Sequence, residues 1–123
     1  MDLLRAIFNV ILVIESNDDE NVRDGDGGKA IGPAQIWRSY HKDAKEVDSS
    51  IGDYAECKGP GSREESFKVF VAYMKRYATK ARLKREPSVE DIVRIHNGGP
   101  NGFEKEATLP YYDKFLKAGG GEL

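Results

Sequence analysis

The chain has 123 residues, an apolar content of 39% and a formal net charge of −2. A chain of this length folds as one domain with its own core, and its balanced charge excludes the strong basic field on which nucleic-acid binding depends. The single cysteine, Cys57, excludes an intrachain disulfide, so side-chain packing alone must stabilise the fold. We expect a monomer that binds no nucleic acid.

The first predicted helix spans residues 3–15 and has apolar side chains at helical spacing. Ile11 and Phe8 stand four and seven residues before Glu15, so the Glu15 carboxyl group lies on the apolar face at the last turn. Burial there disfavours its charged form. The run is too short to span a bilayer, and Asp2 precedes the only early basic residue, which is not the pattern of a signal peptide. We therefore expect no stable membrane insertion.

The middle of the chain alternates glycine-rich loops with helical patterns. Residues 17–28 are rich in Asp, Asn and Gly, which favours a short hairpin or an irregular lobe. Pro33 suits the first turn of a helix, and the pattern after it predicts a helix over residues 33–47. After a second loop, capping residues and a long apolar stripe predict a helix from about residue 63 to residue 79.

The last third of the chain is predicted to contain two more helices. Residues 80–87 are predicted to form a basic connector. The helix after it begins at Ser88 and ends at Gly98. A final helix is predicted from Thr108 to Gly119.

These elements define the fold class. Five helices with at most a small β-hairpin lobe make a mostly α domain of the α+β class. We expect a single domain over residues 1–118. Residues 119–123 are expected to be a flexible C-terminal tail, because the run is terminal, short and rich in glycine.

The carboxyl groups around the first loop have two different environments. Glu15 ends an apolar helix, whereas Asp24 and Asp26 lie in a polar, glycine-rich loop. Glycoside hydrolysis requires one protonated acid and usually a second, ionised carboxylate, in environments that separate their pKa values. The same pattern is also typical of a helix end followed by turn-forming aspartates. From these residues alone, both interpretations stay open.

Six short motifs, in their order and spacing, resemble the invertebrate-type lysozymes of the wider lysozyme-like superfamily. They are Glu15-Ser16, Asp26-x-Gly28, Gly32-x-x-Gln35-Ile36, Tyr73-Met-Lys-Arg-Tyr-Ala-Thr79, Arg94-x-His96-Asn-Gly-Gly-Pro-Asn-Gly102 and Thr108-Leu-x-Tyr-Tyr112. Glu-Ser followed by Gly-x-x-Gln occurs throughout the superfamily and is only moderately specific. The longer runs that contain Tyr73 and His96 make the resemblance specific.

The resemblance implies a lysozyme-like catalytic domain that hydrolyses the β-1,4 bond between N-acetylmuramic acid and N-acetylglucosamine in peptidoglycan. It implies that Glu15 is the general acid and Asp26 the second carboxylate. Asp24 remains a rival, because the spacing from Asp26 to Gly32 is one residue shorter than expected. Two alternatives stay open: a lytic transglycosylase, which needs only the acid, and a non-catalytic glycan-binding module.

The substrate implied by the resemblance is peptidoglycan or a chitooligosaccharide. The expected substrate-binding residues are Ser16, Gln35, Tyr77, His96 and Asn97. His96 also fits a core histidine, because it lies on the apolar stripe of its helix, and the helical spacing of Tyr77 also fits core packing. We expect no cofactor and no metal, since the sequence has no zinc-ligand cluster and Lys29 stands where an EF-hand loop requires Gly.

One departure from the family pattern concerns the cysteines. Invertebrate-type lysozymes are rich in disulfides, whereas Ile31 and Ala44 stand here where half-cystines would be expected. The resemblance therefore indicates a disulfide-free member of the superfamily that folds inside a cell. We expect it to act on the cell wall, although its sequence shows no recognisable signal peptide.

Overall fold

A computed structural model describes residues 2–123 and contains six α-helices and one two-stranded antiparallel sheet over them. The helices are α1 (Asp2–Ser16), α2 (Arg38–Val47), α3 (Ser62–Tyr77), α4 (Lys80–Leu83), α5 (Val89–Gly98) and α6 (Leu109–Lys117), and the strands are β1 (Ala30–Ile31) and β2 (Ile36–Trp37). The predicted mostly α fold with one small β-hairpin is confirmed. No helix within the described residues has the length and apolar character needed to cross a membrane.

The first helix, α1, is a core helix because one of its faces is apolar along most of its length. Ile7, Phe8 and Ile11 are fully buried, and the ring centroid of Phe8 lies 5.1 Å from that of Phe70 in α3. The residue after α1, Asn17, leaves the helical conformation with a φ of 58°. The last turn of α1, which carries the predicted acid, is therefore fixed against the core.

A short hairpin follows the acidic loop. Its strands pair in antiparallel register, with Ala30 opposite Trp37 and Ile31 opposite Ile36. Gly32 begins the connecting turn with a φ of 73°, and a Cβ atom at this position would overlap the carbonyl oxygen of Cys57. Glycine is therefore required there. The hairpin lies after the Asp-rich loop and not within residues 17–28.

The predicted helix over residues 33–47 is wrong at its start, because α2 begins only at Arg38. Pro33 lies in the hairpin turn, and Gln35 has a φ of 52°, which a right-handed helix cannot contain. The hydroxyl group of Ser16 donates a hydrogen bond to the Pro33 carbonyl oxygen (2.8 Å). This contact attaches the hairpin turn to the end of α1.

The predicted basic connector over residues 80–87 contains the short helix α4. Its first turn is capped by Thr79, whose hydroxyl oxygen accepts a hydrogen bond from the backbone N–H of Arg82 (3.2 Å). A single helical turn has no room for an apolar stripe, so periodicity does not reveal it. Ser88 and Asp91 then form the capping box with which α5 begins.

Arg94 joins α5 to the segment that leads into α6. Its side chain is buried, and its Nε donates a hydrogen bond to the Thr108 hydroxyl oxygen (2.8 Å). Its Nη2 donates to the Lys105 carbonyl oxygen (2.9 Å), and its Nη1 pairs with Glu90 (2.6 Å). Each nitrogen of the buried guanidinium group therefore has a hydrogen-bond partner, and the group holds the start of α6 against α5.

The C-terminal residues pack on the end of α6. A single turn of 3-10 helix covers Gly120–Glu122. Gly120 is buried, and a Cβ atom there would overlap the Phe115 ring. The flexibility of residues 119–123 and the domain boundary at residue 118 stay predictions.

Arg94→Met should lower the free energy of unfolding by about 3 kcal/mol, because it removes a buried cation and leaves its partners without donors. Urea unfolding monitored by circular dichroism measures the change. Arg63→Met is the matched control. Arg63 forms its ion pairs with Asp18 (2.7 Å) and Glu20 (3.5 Å) at the surface, and its substitution should change stability by less than about 1 kcal/mol. Equal effects of the two substitutions would contradict the assigned role of Arg94.

Candidate active site

A cleft of about 380 Å³ opens between the end of α1, the hairpin, α2, α3, the end of α5 and the segment after it. Its lining consists of Glu15, Asp26, Gln35, Trp37, Ser39, Tyr40, Asp43, Tyr73, His96, Asn97, Gly99 and Pro100. Three of these residues are carboxylic acids, and none of the lining residues in the described chain is Lys or Arg. The cleft therefore combines acidic groups with aromatic and amide side chains.

Glu15 lies in the wall of this cleft at the last turn of α1. Its side chain is only 20% exposed, and the hydroxyl group of Tyr111 donates a hydrogen bond to its Oε2 atom (2.8 Å). Burial raises the pKa of Glu15 from its usual 4.5 to about 7. The hydrogen bond from Tyr111 opposes this rise, and the negative charge of Asp26 adds to it. The positive charge of Lys114 has a weaker opposing effect. Near neutral pH, a substantial fraction of Glu15 therefore carries a proton.

His96 lies next to Glu15, with its Nε2 atom 3.8 Å from Oε2 of the carboxyl group. Its Nδ1 atom is 2.8 Å from the hydroxyl oxygen of Tyr40. Burial lowers the pKa of His96 to about 4, against a smaller opposing effect of a hydrogen bond to the Ala34 backbone. The ring is therefore neutral at physiological pH, so no ion pair forms with Glu15. The Nδ1 atom and the Tyr40 hydroxyl group share a hydrogen bond.

Two stacked tyrosines form the floor of the cleft beside His96. The rings of Tyr40 and Tyr73 are 3.7 Å apart between centroids and nearly parallel, at 6°. Both side chains are buried, at 8% and 3% exposure. Because each ring packs against the other and against the core, the two tyrosines form a fixed contact surface for the His96 ring, whose centroid lies 5.3 Å from that of Tyr40.

The two candidate aspartates occupy different surfaces. Asp26 is exposed, begins the 3-10 turn Asp26–Gly28 and lines the same cleft as Glu15. Asp24 does not line the cleft, and its carboxylate pairs with Lys58 at 3.3 Å. The placement favours Asp26 over Asp24 as the partner of Glu15, while the catalytic role of Asp26 stays a prediction.

Three of the five predicted substrate-binding residues line the cleft, namely Gln35, His96 and Asn97. Ser16 does not line it, because its hydroxyl group is hydrogen-bonded to the backbone at the end of α1 and in the hairpin turn. Tyr77 lies behind the lining and donates a hydrogen bond to Asp43 (2.8 Å). Ser16 and Tyr77 therefore hold neighbouring parts of the site in position and do not line the cleft themselves.

Several residues of the site are not among those predicted from the sequence. The helix predicted over residues 33–47 gave no reason to expect Trp37 or Ser39 in the site. In the structure Trp37 ends β2 and Ser39 lies in the first turn of α2, and both line the cleft. Asp43 faces the cleft from α2. Tyr111 is 96 positions from Glu15 in sequence, and no local spacing relates the two. Within the described residues, no three His, Cys, Asp or Glu side chains are arranged to hold a metal ion.

A half-buried carboxylic acid in the wall of a cleft, on an α-rich fold with one small hairpin, is the arrangement expected of a lysozyme-like glycosidase. Comparisons with known proteins agree with this class. The sequence model of the Destabilase family matches residues 8–118. The chain therefore belongs to the Destabilase family, and its resemblance to invertebrate-type lysozymes is confirmed.

Two proteins with similar sequences are invertebrate-type lysozymes. The chain is 30% identical over 93 residues to invertebrate-type lysozyme 6 of Caenorhabditis elegans, covering 73% of this chain and 67% of that protein. It is 44% identical over 55 residues to an invertebrate-type lysozyme of Ruditapes philippinarum, covering 45% of this chain and 39% of that protein. Both matches agree with the motifs identified in the sequence.

Two crystal structures show the same fold. A chain in the complex of Aeromonas hydrophila PliI with Meretrix lusoria lysozyme has a TM-score of 0.76 and 26% identity, covering 93% of this chain and 88% of that one. The lysozyme of Tapes japonica has a TM-score of 0.72 and 28% identity, covering 93% and 89%. The lysozyme-like fold thus extends over nearly the whole chain.

Glu15→Gln should stabilise the protein in a pH-dependent way. Because folding raises the pKa of Glu15 from 4.5 to about 7, the folded state retains a proton that the unfolded state releases, and stability falls as pH rises through this window. The glutamine cannot ionise and still accepts the Tyr111 hydrogen bond. We expect it to be more stable than the wild type by about 3 kcal/mol at about pH 8, and the difference to vanish below about pH 4.5.

Urea unfolding at both pH values measures this difference. Glu106→Gln, at an exposed position, is the control and should change stability by less than about 0.5 kcal/mol at either pH. A stabilisation by Glu15→Gln that does not depend on pH would show that the carboxyl group has no raised pKa.

Proposed function

We propose that the protein is a muramidase that hydrolyses the β-1,4 bond between N-acetylmuramic acid and N-acetylglucosamine in peptidoglycan. The observation that carries this proposal is the half-buried Glu15, whose raised pKa of about 7 suits a general acid near neutral pH. Membership of the Destabilase family and the similarity to named lysozymes support the same substrate class.

Glu15 would act by giving its proton to the glycosidic oxygen as positive charge develops on the sugar ring. Its Oε2 atom accepts the hydrogen bond from Tyr111, so the proton of the neutral acid belongs on Oε1. Tyr111 is therefore a positioning residue that fixes which carboxyl oxygen transfers the proton. His96, neutral and buried, keeps this side of the carboxyl group free of positive charge.

Asp26 would stabilise the oxocarbenium-like charge or form a covalent bond with the sugar. The Asp26 side chain is exposed in the same cleft, whereas burial favours the protonated form of Glu15. The negative charge of Asp26 also raises the pKa of Glu15. Asp26 therefore supports the protonated state that a general acid needs.

The remaining lining residues suit a chain of N-acetylated sugars. Trp37, which is 42% exposed, offers an aromatic face on which a sugar ring can pack. Gln35 and Asn97 supply amide groups that can hydrogen-bond to hydroxyl and acetamido groups. This combination of a flat apolar face and uncharged polar groups supports a carbohydrate substrate.

Substitution of the two carboxylates should separate their roles. We expect Glu15→Gln to lower kcat on peptidoglycan by about 10³-fold, since it removes the general acid. Asp26→Asn should lower kcat by about 10²-fold, since it removes the charge that faces the developing cation. Asp24→Asn is the matched control in the same loop and should stay within about twofold of the wild type, because Asp24 does not line the cleft.

Mass spectrometry of the digestion products tests the reaction type. Reducing N-acetylmuramic acid ends support hydrolysis, whereas 1,6-anhydro ends together with full activity of Asp26→Asn would make the protein a lytic transglycosylase. Binding of chitooligosaccharide without cleavage of any substrate would make it a glycan-binding module. Undiminished turnover by Glu15→Gln would exclude both enzyme mechanisms.

Activity should also depend on pH through Glu15. Because the general acid must be protonated, kcat/KM should fall by about tenfold per pH unit above the pKa of Glu15, about 7. Tyr111→Phe removes a hydrogen bond that lowers this pKa, so the alkaline limb should move to higher pH. Tyr112→Phe, on the same helix but without a bond to Glu15, is the control. An unmoved limb in Tyr111→Phe would contradict the assigned role of Tyr111.

A further inference from the structure

A second cavity, which the proposed function does not use, lies between α2 and the 3-10 turn Tyr54–Cys57. Its volume is about 690 Å³, larger than that of the cleft. We call it the basic pocket, and it is lined by Arg38, His41, Lys42, Lys45, Glu46, Asp53, Tyr54 and Ala55. Basic side chains from successive turns of α2 face it together.

The positive charge of the basic pocket is only partly neutralised. Lys45 lies 3.9 Å from Asp53 at the surface, and the carboxylate of Glu46 is bound to Arg76 (2.7 Å). Arg38 and Lys42 form no ion pair with any residue in the described part of the chain. Positive charge is therefore available to a ligand.

The wall of the basic pocket is held in place by the fold. The guanidinium group of Arg38 lies over the ring of Tyr54, 4.6 Å from its centroid. The Tyr54 hydroxyl group donates a hydrogen bond to the Ile36 carbonyl oxygen (2.6 Å), and His41 Nε2 is 2.8 Å from the Gly52 carbonyl oxygen. Because Arg38 stacks on a ring that is itself anchored, it loses little conformational freedom when it binds an anion.

A shallow depression of about 260 Å³ connects the basic pocket to the cleft. It shares Trp37 and Ser39 with the lining of the cleft, and Arg38 and Tyr54 with the lining of the basic pocket. Lys29 adds a further cation here, with its Nζ atom 5.8 Å from the centroid of the Trp37 ring. A polymer that leaves the cleft across Trp37 therefore passes directly onto a basic surface.

We propose that the basic pocket binds anionic groups carried by the same glycan polymer whose scissile bond lies in the cleft. This inference rests on the proposed function. The cleft itself has three carboxylic acids and no Lys or Arg among its described lining residues, so it suits the uncharged sugar backbone. Carboxylates of peptide substituents and phosphodiesters of attached wall polymers both present anionic oxygens, which Lys and Arg bind.

The test compares binding of inactive proteins to insoluble peptidoglycan in a sedimentation assay. In the Glu15→Gln background, Lys42→Gln combined with Lys45→Gln should weaken binding by about fivefold at low ionic strength, and added salt should remove the difference. Lys80→Gln combined with Lys84→Gln changes the net charge equally on another exposed segment and should leave binding unchanged. Unchanged melting temperatures establish that the variants are folded.

Two sources of the anion are distinguished by treating the peptidoglycan with hydrofluoric acid, which removes phosphodiester-linked polymers. If the Lys42 and Lys45 substitutions still weaken binding to the treated peptidoglycan, the basic pocket binds carboxylates. If they no longer weaken binding, the basic pocket binds phosphodiesters. Equal binding by the two lysine variants overturns the proposal, as does an inactive protein that does not bind peptidoglycan at all.

Activity measurements keep this inference separate from the proposed function. In the active protein, the Lys42 and Lys45 substitutions should raise KM on peptidoglycan by about fivefold and leave cleavage of a neutral chitooligosaccharide unchanged. A wild-type protein that binds peptidoglycan but cuts neither substrate would contradict the proposed function, while the sedimentation assay would still decide on the basic pocket.

Discussion

The environment of the Glu15 carboxyl group depends on three helices at once. Helix α1 carries the residue, α6 supplies the Tyr111 hydroxyl group that binds it, and α5 places His96 beside it. The apolar packing that joins these helices also removes water from the carboxyl group and raises its pKa. Fold stability and the proton affinity of the acid therefore come from the same packing, and a loosened core would lower both.

Packing replaces disulfides in this chain. Ile31 and Ala44, which stand where half-cystines are expected in invertebrate-type lysozymes, are both buried in the core. Cys57 is also buried, and burial raises the pKa of its thiol to about 12. The thiol therefore stays protonated and unreactive at physiological pH. Its backbone instead lies against Gly32, where the close approach fixes the hairpin turn.

Sequence periodicity predicted the long helices because α1, α3 and α5 each bury a continuous apolar stripe. It did not place the hairpin, since strands of two residues are too short to show an alternating pattern. The same limit applies to the site. Helical spacing alone predicted that the Glu15 carboxyl group lies on a buried face. Its hydrogen bond to Tyr111 depends on how α6 packs against α1, which helical spacing does not predict. Trp37 faces the cleft because the hairpin turns the chain there, which no helical pattern predicts.

A neutral His96 adds no positive charge beside Glu15. A charged imidazolium at 3.8 Å would favour the ionised carboxylate and lower the pKa of the acid. Burial lowers the pKa of His96 to about 4, well below that of Glu15, so the ring is already neutral over the range in which Glu15 titrates. The two sequence-based interpretations of His96, core residue and cleft wall, therefore describe one arrangement. Because it is buried in the core, this residue can line the cleft without placing a positive charge beside the acid.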